Sequence, residues 1–206
     1  MRREELTDHL RRNTRVLKSE RTADAFDAID RADFVEEDYL SEAYEDYALP
    51  LGYEQTISEP TTVAFMLELL DPQAGDMVLD VGSGSGYTTA LMAEIVGTEG
   101  KVIGSEIIPE LVEKSRANLL KYDFPHVIIE EGNRNFDTSN EDYYDRILVN
   151  AAAEDIPQTL LDKLNVGGVM VIPVGDTVVR IEKVSKDAAD VKSYEGFNFV
   201  PLVYNP

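Results

Sequence analysis

Cysteine is absent from this 206-residue chain, histidine occurs twice, and lysine is scarce. Without cysteine there is no disulfide framework, no thiol nucleophile and no thiolate metal site. His9 and His126 lie far apart and neither has a second histidine at ligand spacing, so no metal is expected. The acidic stretch from Asp137 to Asp145 lacks the glycine and terminal glutamate of a calcium loop and reads as a solvated loop. No apolar stretch reaches the roughly eighteen residues of a membrane span. Met1-Arg2-Arg3-Glu4-Glu5 carries charge but no apolar segment, which is not a secretory signal. No G-x-x-x-x-G-K-[ST] run occurs, which removes the P-loop nucleotide binders. The expected location is the cytoplasm, with no membrane partner.

Positive charge is the largest deficit. Nineteen Lys and Arg face forty Asp and Glu, for a formal charge of −21. The imbalance is uneven: residues 1–31 carry eight basic and seven acidic side chains, the remainder eleven and thirty-three. Such a surface repels phosphate backbones, which excludes nucleic acid as the expected partner. One reading is adaptation to a high-salt cytoplasm, where an acidic surface stays hydrated and screened; an acidic mesophilic enzyme is the other. Under the first, thermal unfolding followed against KCl is expected to show stability rising with salt. Full stability in dilute buffer would contradict it.

The most informative segment present is Val78-Leu79-Asp80-Val81-Gly82-Ser83-Gly84-Ser85-Gly86-Tyr87. It reads as a buried strand, a glycine turn and the start of a helix. Glu106 follows twenty residues after Gly86, at the end of a second apolar run. Strand, glycine turn, helix and acidic strand end form a nucleoside-binding βαβ unit, in which the acid accepts hydrogen bonds from ribose hydroxyls. Tyr87 breaks the G-x-G-x-x-G spacing of a dinucleotide site, and Asp80 would set a carboxylate beside the phosphates. A ligand with a cationic amino-acid end and a ribose suits Asp80 and Glu106 better, and S-adenosylmethionine is that ligand.

Apolar periodicity predicts a helix over 4–18, a second capped by Thr22 through Arg31, and a tyrosine-rich loop over 32–54. A helix starts at Pro60. Strands follow at 77–81, 101–106, 126–130, 144–149 and 168–174, with helices at 87–96, 109–122 and 157–164. Hairpin-like strands close the chain near 177–184 and 190–203. This is an α/β fold: a Rossmann-like, doubly wound, mostly parallel sheet with an antiparallel C-terminal edge. Residues 1–206 read as a single methyltransferase domain, with 1–55 a helical and loop appendage and 56–206 the cofactor-binding core. Tyr39, Tyr44, Tyr47 and Tyr53 suit either a substrate lid or packing of the appendage.

Upstream of the glycine turn runs Ala43-Tyr44-Glu45-Asp46-Tyr47-Ala48-Leu49-Pro50-Leu51-Gly52-Tyr53-Glu54-Gln55-Thr56-Ile57-Ser58-Glu59-Pro60. Downstream come Tyr144-Asp145-Arg146-Ile147, Ala151-Ala152-Ala153, Ile156-Pro157, Gly167-Gly168 with Ile172-Pro173-Val174-Gly175, and Phe199-Val200-Pro201-Leu202. In this order, over roughly residues 30–203, the chain resembles the protein-L-isoaspartate O-methyltransferases. The Gln55–Ser58 and Val200–Leu202 pieces are specific to that family, whereas the glycine turn is shared by most methyltransferases of this fold.

The resemblance implies methylation of the α-carboxylate of L-isoaspartyl residues in damaged proteins. The ester then closes without enzyme to a succinimide that can reopen as aspartate. It implies Ser58 as the catalytic residue, with Ile57, Ser58, Val200 and Leu202 around the isoaspartyl peptide. S-adenosylmethionine would be held by Asp80, Gly82, Ser83, Gly84, Gly86, Tyr87, Glu106, Ile107, Gly132 and Asn133. On spacing alone Ser58 reads as the cap of the Pro60 helix. Thr61 stands where many members have His, and Gly132-Asn133-Arg134 replaces Gly-Asp-Gly. These departures keep open a different carboxylate or small-molecule acceptor, or a modified-peptide-binding module without turnover. The expected partners are isoaspartyl proteins or peptides, and the expected state is a monomer.

Overall fold

The structure is a computed structural model that describes residues 1–133, 135–138 and 143–203. The N-terminal stripe forms helix α1, Arg3–Asp8, which widens into a π-helical turn over His9–Asn13. It stops there rather than at residue 18, because Arg15 takes a left-handed φ of 59°. Helix α2, Glu20–Ala28, is capped by Ser19, whose hydroxyl accepts from the Thr22 N–H. Thr22 therefore lies inside the helix and is not its cap. The expected loop holds a small hairpin, β1 Leu49–Gly52 and β2 Gln55–Ile57. Helix α3, Pro60–Leu70, follows, with proline in its first turn where no N–H is needed.

The main sheet contains β3 Met77–Val81, β4 Lys101–Glu106, β5 Val127–Glu131, β6 Tyr144–Val149, β7 Leu164–Val174, β8 Thr177–Ser185 and β9 Ala188–Glu195. Its order is β5-β4-β3-β6-β7-β8-β9. The strands from β5 to β7 are parallel, while β8 runs antiparallel to both β7 and β9. Helices α4 Tyr87–Val96, α5 Pro109–Leu119 and α6 Gln158–Lys163 supply the crossovers.

Successive strand residues face opposite sides, and the core divides accordingly. Val78, Val102, Leu148, Val169, Val171 and Val178 join one buried cluster with residues of α1 to α5. Leu79, Ile103, Ile147, Val149, Met170 and Ile172 join the other, with Leu160 of α6. Burial on both faces explains why the parallel runs read as continuous apolar segments.

Further boundaries differ from the sequence expectation. Helix α5 ends at Leu119 rather than 122. Strand β7 begins at Leu164 and passes through a bulge opposite Tyr144–Arg146, with Gly167 at a φ of 85°. Strand β9 ends at Glu195, and Gly196 turns the chain at a φ of 97°. Residues 200–202 then form only a bridge with Ala152. Of the tyrosines, Tyr39 and Tyr44 pack against the core, Tyr47 and Tyr53 are exposed, and none lines the cleft described below. Arg134 and residues 139–142 lie outside the described residues.

Candidate active site

The sheet order reverses at β3: the chain passes through β4 to β5, then returns to the other side of β3 as β6. Ligands of open α/β sheets bind beyond the strand ends at such a point. An open cleft lies there, with an empty volume of about 680 Å³ that includes space continuous with solvent. Its floor comes from the ends of four strands: Val81 and Gly82, Ser105 and Glu106, Gly132 and Asn133, Asn150 and Ala151. Gln55, Thr56 and Ser58 form one wall, and Val200, Pro201 and Leu202 the other. The C-terminal segment is fixed by two bonds at 2.8 Å, from the Ala152 N–H to the Val200 carbonyl and from the Leu202 N–H to the Ala152 carbonyl.

The glycine turn is held to β4. Gly82 and Ser83 N–H both donate to the Ser105 carbonyl, and Gly86 N–H donates to Ser83. Gly84 N–H donates to Glu106 Oε2 at 2.8 Å. With these donors committed within the protein, the turn has little left to offer a pyrophosphate, whose binding relies on free backbone N–H groups. Gly82, at a φ of 72° with no atom near its absent Cβ, opens toward the cleft. Gly86 has another role: a Cβ there would sit 2.6 Å from Ser115 Oγ of α5, so its glycine permits helix packing.

Glu106 also accepts from Ile107 N–H at 2.8 Å and Ile108 N–H at 3.0 Å. A carboxylate offers about four acceptor sites, so roughly one remains open to a ligand donor. Asn133 Oδ1 is taken up by Asn135 and Asp137 N–H groups, which leaves its amide nitrogen as the end that can donate to a ligand. Ile107, Ile108 and Phe136 give that end of the cleft its apolar surface.

The structure separates the expected cofactor residues into two groups. Gly82, Gly84, Glu106, Ile107, Gly132 and Asn133 line the cleft. Ser83 and Tyr87 line only a narrower crevice beside it, and Tyr87 is buried against Phe26 and Phe34. Asp80 is fully buried beneath the turn and faces protein donors. Thr88 and Thr89 hydroxyls donate to it at 2.8 and 2.6 Å, and Asn150 Nδ2 donates at 2.7 Å. Burial pushes its carboxyl up to about 6, against the pull of those three donors.

On the opposite wall, Ser58 is not a helix cap. The cap of α3 is Glu59, whose carbonyl accepts from Val63 N–H. Ser58 Oγ and Thr56 Oγ1 make no hydrogen bond with any described residue, and both face the cleft. Ile57, between them, points into the core and lines only the side crevice. Val200 and Leu202 stand across the cleft from this wall. Thr61 contacts neither the turn nor the ribose end; its N–H and hydroxyl bind Asp46, and it lines an outer groove. Burial would raise the Asp46 carboxyl, but hydrogen bonds from Thr61 and His9 hold it below its usual range.

Sequence reasoning missed Arg31, Thr56, Ser105, Phe136 and Asn150. Arg31 is 1% exposed. It donates to the carbonyls of Ala43 at 2.6 Å, Ser58 at 2.9 Å and, more weakly, Tyr47 at 3.4 Å. It thereby ties both ends of the β1–β2 hairpin together beneath Ser58. Burial lowers the guanidinium's pKa. Thr56 carried a signal, since in a strand whose Ile57 points inward its neighbours point outward.

A cleft at the switch point, with Glu106 on its floor and the turn's N–H groups held internally, is the site of an S-adenosylmethionine-dependent methyltransferase of Rossmann-like fold. Known proteins agree. The chain matches the family model of protein-L-isoaspartate(D-aspartate) O-methyltransferase over residues 1–206. It is 47% identical to protein-L-isoaspartate O-methyltransferase 2 of Archaeoglobus fulgidus, over 97% of this chain and 92% of that protein. Against the Methanopyrus kandleri protein-L-isoaspartate O-methyltransferase the identity is 44%, over 98% of this chain and 91% of that one. A Plasmodium falciparum crystal structure described as this methyltransferase, in complex with S-adenosyl-L-homocysteine, superposes with a TM-score of 0.85 at 26% identity, covering 100% of both chains. The chain belongs to the protein-L-isoaspartate(D-aspartate) O-methyltransferase family.

Proposed function

We infer that this chain transfers a methyl group from S-adenosylmethionine to the α-carboxylate of L-isoaspartyl residues in damaged proteins and peptides. The observation that carries the reading is the pair of free hydroxyls, Thr56 and Ser58, facing the cofactor cleft between the glycine turn and Val200.

Bound S-adenosylmethionine supplies a methyl group on a sulfonium, ready for displacement by an oxygen nucleophile. A carboxylate is already ionised at neutral pH, so the site needs no general base. It must instead remove water from the carboxylate and orient one oxygen for in-line attack. A hydroxyl from Ser58 or Thr56 can donate to the other oxygen without neutralising the nucleophile as a lysine would. Among the described residues no lysine or arginine lines the cleft or the outer groove. The outer groove, with Phe197 and Phe199, adjoins the same wall and gives the peptide flanks a surface.

Among the described residues no helix is long and apolar enough to cross a membrane. The first 55 residues are read as an appendage to a single catalytic domain, since they supply core residues and only Gln55 of the cleft.

Repair itself is the test. An isoaspartyl peptide incubated with the protein and S-adenosylmethionine is expected to convert progressively to its aspartyl isomer, read by chromatography. No conversion above the cofactor-free control would contradict the reading. Ser58→Ala is expected to lower kcat/KM for the peptide about 10- to 100-fold, the range for a hydrogen bond to a charged group. Affinity for S-adenosylhomocysteine should change less than twofold. Equal losses of melting temperature and cofactor binding, with turnover per folded molecule unchanged, would make Ser58 a purely structural residue.

A further inference from the structure

Three depressions meet beyond the ends of β3 and β6: the cofactor cleft, the side crevice and the outer groove. Thr56, Ser58 and Asn150 line all three. Asn150 directly follows β6 and matches no part of the sequence motifs. Its Nδ2 faces a nest of acceptors: Asp80 Oδ1 at 2.7 Å, Gly82 O and Thr88 Oγ1 at 3.3 Å, and Val81 O at 3.4 Å. A carboxylate and two carbonyls can only accept, so the amide nitrogen must occupy this end. The Oδ1 end accepts no hydrogen bond from any described residue and is not sealed from solvent.

We propose that Asn150 Oδ1 receives the α-ammonium of the bound cofactor, so that Asn150 relays the charge of a buried Asp80 that does not itself touch the ligand. The geometry sets the direction of the ligand. Adenine lies toward Ile107 and Asn133, and Glu106 takes a ribose hydroxyl. The amino-acid end must then extend along the turn toward Gly82, where Asn150 stands. An ammonium has donors only and requires acceptors. An amide that donates to a carboxylate is polarised, and its oxygen becomes a stronger acceptor. The substrate carboxylate, with no proton to give, cannot use Oδ1, whereas the neighbouring hydroxyls of Thr56 and Ser58 suit it.

The proposal rests on S-adenosylmethionine being the cofactor, and calorimetry on the full chain separates the two. Wild-type protein, Asn150→Ala and Asn150→Ser are titrated with S-adenosylhomocysteine and with methylthioadenosine, which keeps the nucleoside and sulfur but has no amino-acid end. Asn150→Ser retains a hydroxyl for Asp80 and guards against misfolding. Both variants are expected to bind S-adenosylhomocysteine about 10- to 100-fold more weakly, a range set by one hydrogen bond to a charged group. Their affinity for methylthioadenosine should stay within about twofold of wild type. Equal weakening for both ligands would make Asn150 structural and overturn the proposal. Unchanged S-adenosylhomocysteine affinity with a raised peptide KM would overturn it in favour of a contact to the acceptor's peptide N–H. Failure of wild-type protein to bind S-adenosylhomocysteine would overturn the cofactor reading itself.

Discussion

Glu106→Gln is expected to weaken S-adenosylhomocysteine binding by about 3 kcal/mol, roughly a hundredfold, measured by calorimetry. The substitution is nearly isosteric, so the loss would come from chemistry rather than volume. Glu106 accepts from the Gly84, Ile107 and Ile108 N–H groups at once. A glutamine can place its carbonyl toward one side only, and its NH₂ then confronts a backbone donor on the other. The turn loses its tie to β4 while the ribose loses an ionised acceptor. Thermal stability should fall as well, because an unpaired N–H is left beneath the turn. Unchanged ligand affinity would show that the cofactor does not lie against this end of β4.

The second large effect concerns Arg31. Replacing it by methionine keeps most of the apolar volume but removes the donors to Ala43, Tyr47 and Ser58. The two shorter bonds are charge-assisted and worth about 1.5–3 kcal/mol each, partly offset by no longer burying a cation. A net loss of about 2–4 kcal/mol is expected, which at this chain length lowers the melting temperature by roughly 5–15 °C. Below that temperature, KM for an isoaspartyl peptide should rise by more than cofactor affinity falls. The wall carrying Ser58 loses its anchor while the glycine turn and Glu106 keep theirs. Arg31→Lys should recover only part of both, since an ammonium is a point charge and cannot span three carbonyls as a planar fork does. A melting temperature within about 2 °C of wild type would refute a structural role for the buried guanidinium.

The parallel strands and the cofactor turn were legible in sequence because their constraints are local. Strands buried on both faces must be apolar throughout, and a tight turn beside a ligand shows its glycines. The β1–β2 hairpin was not. Its two central residues, Tyr53 and Glu54, have φ of 54° and 60°, a turn geometry normally announced by Asn-Gly or Asp-Gly. Two non-glycine residues held there are strained, and they sit in the hairpin whose second strand ends at Ile57, one residue beyond Thr56. Gly86 and Asp80 were read as ligand contacts because they stand within the motif. Only the fold shows Gly86 packed against Ser115 and Asp80 held beneath the turn by donors from Thr88, Thr89 and Asn150. Arg31 and Asn150 had no motif at all. Each acts on groups far away in the chain, and such relations appear only once the fold brings them together.

A methyl donor lying on the glycine turn and an isoaspartyl carboxylate held by the Thr56–Ser58 wall make up the proposed active complex. Initial-rate transfer of radiolabelled methyl from S-adenosylmethionine tests it most directly, using one peptide that contains L-isoaspartate and its isomer that contains L-aspartate. Rapid labelling of the isoaspartyl peptide, released as methanol in base, is expected, with only background labelling of the aspartyl isomer. Equal labelling of the two, or none of either by protein shown to bind S-adenosylhomocysteine, would contradict it.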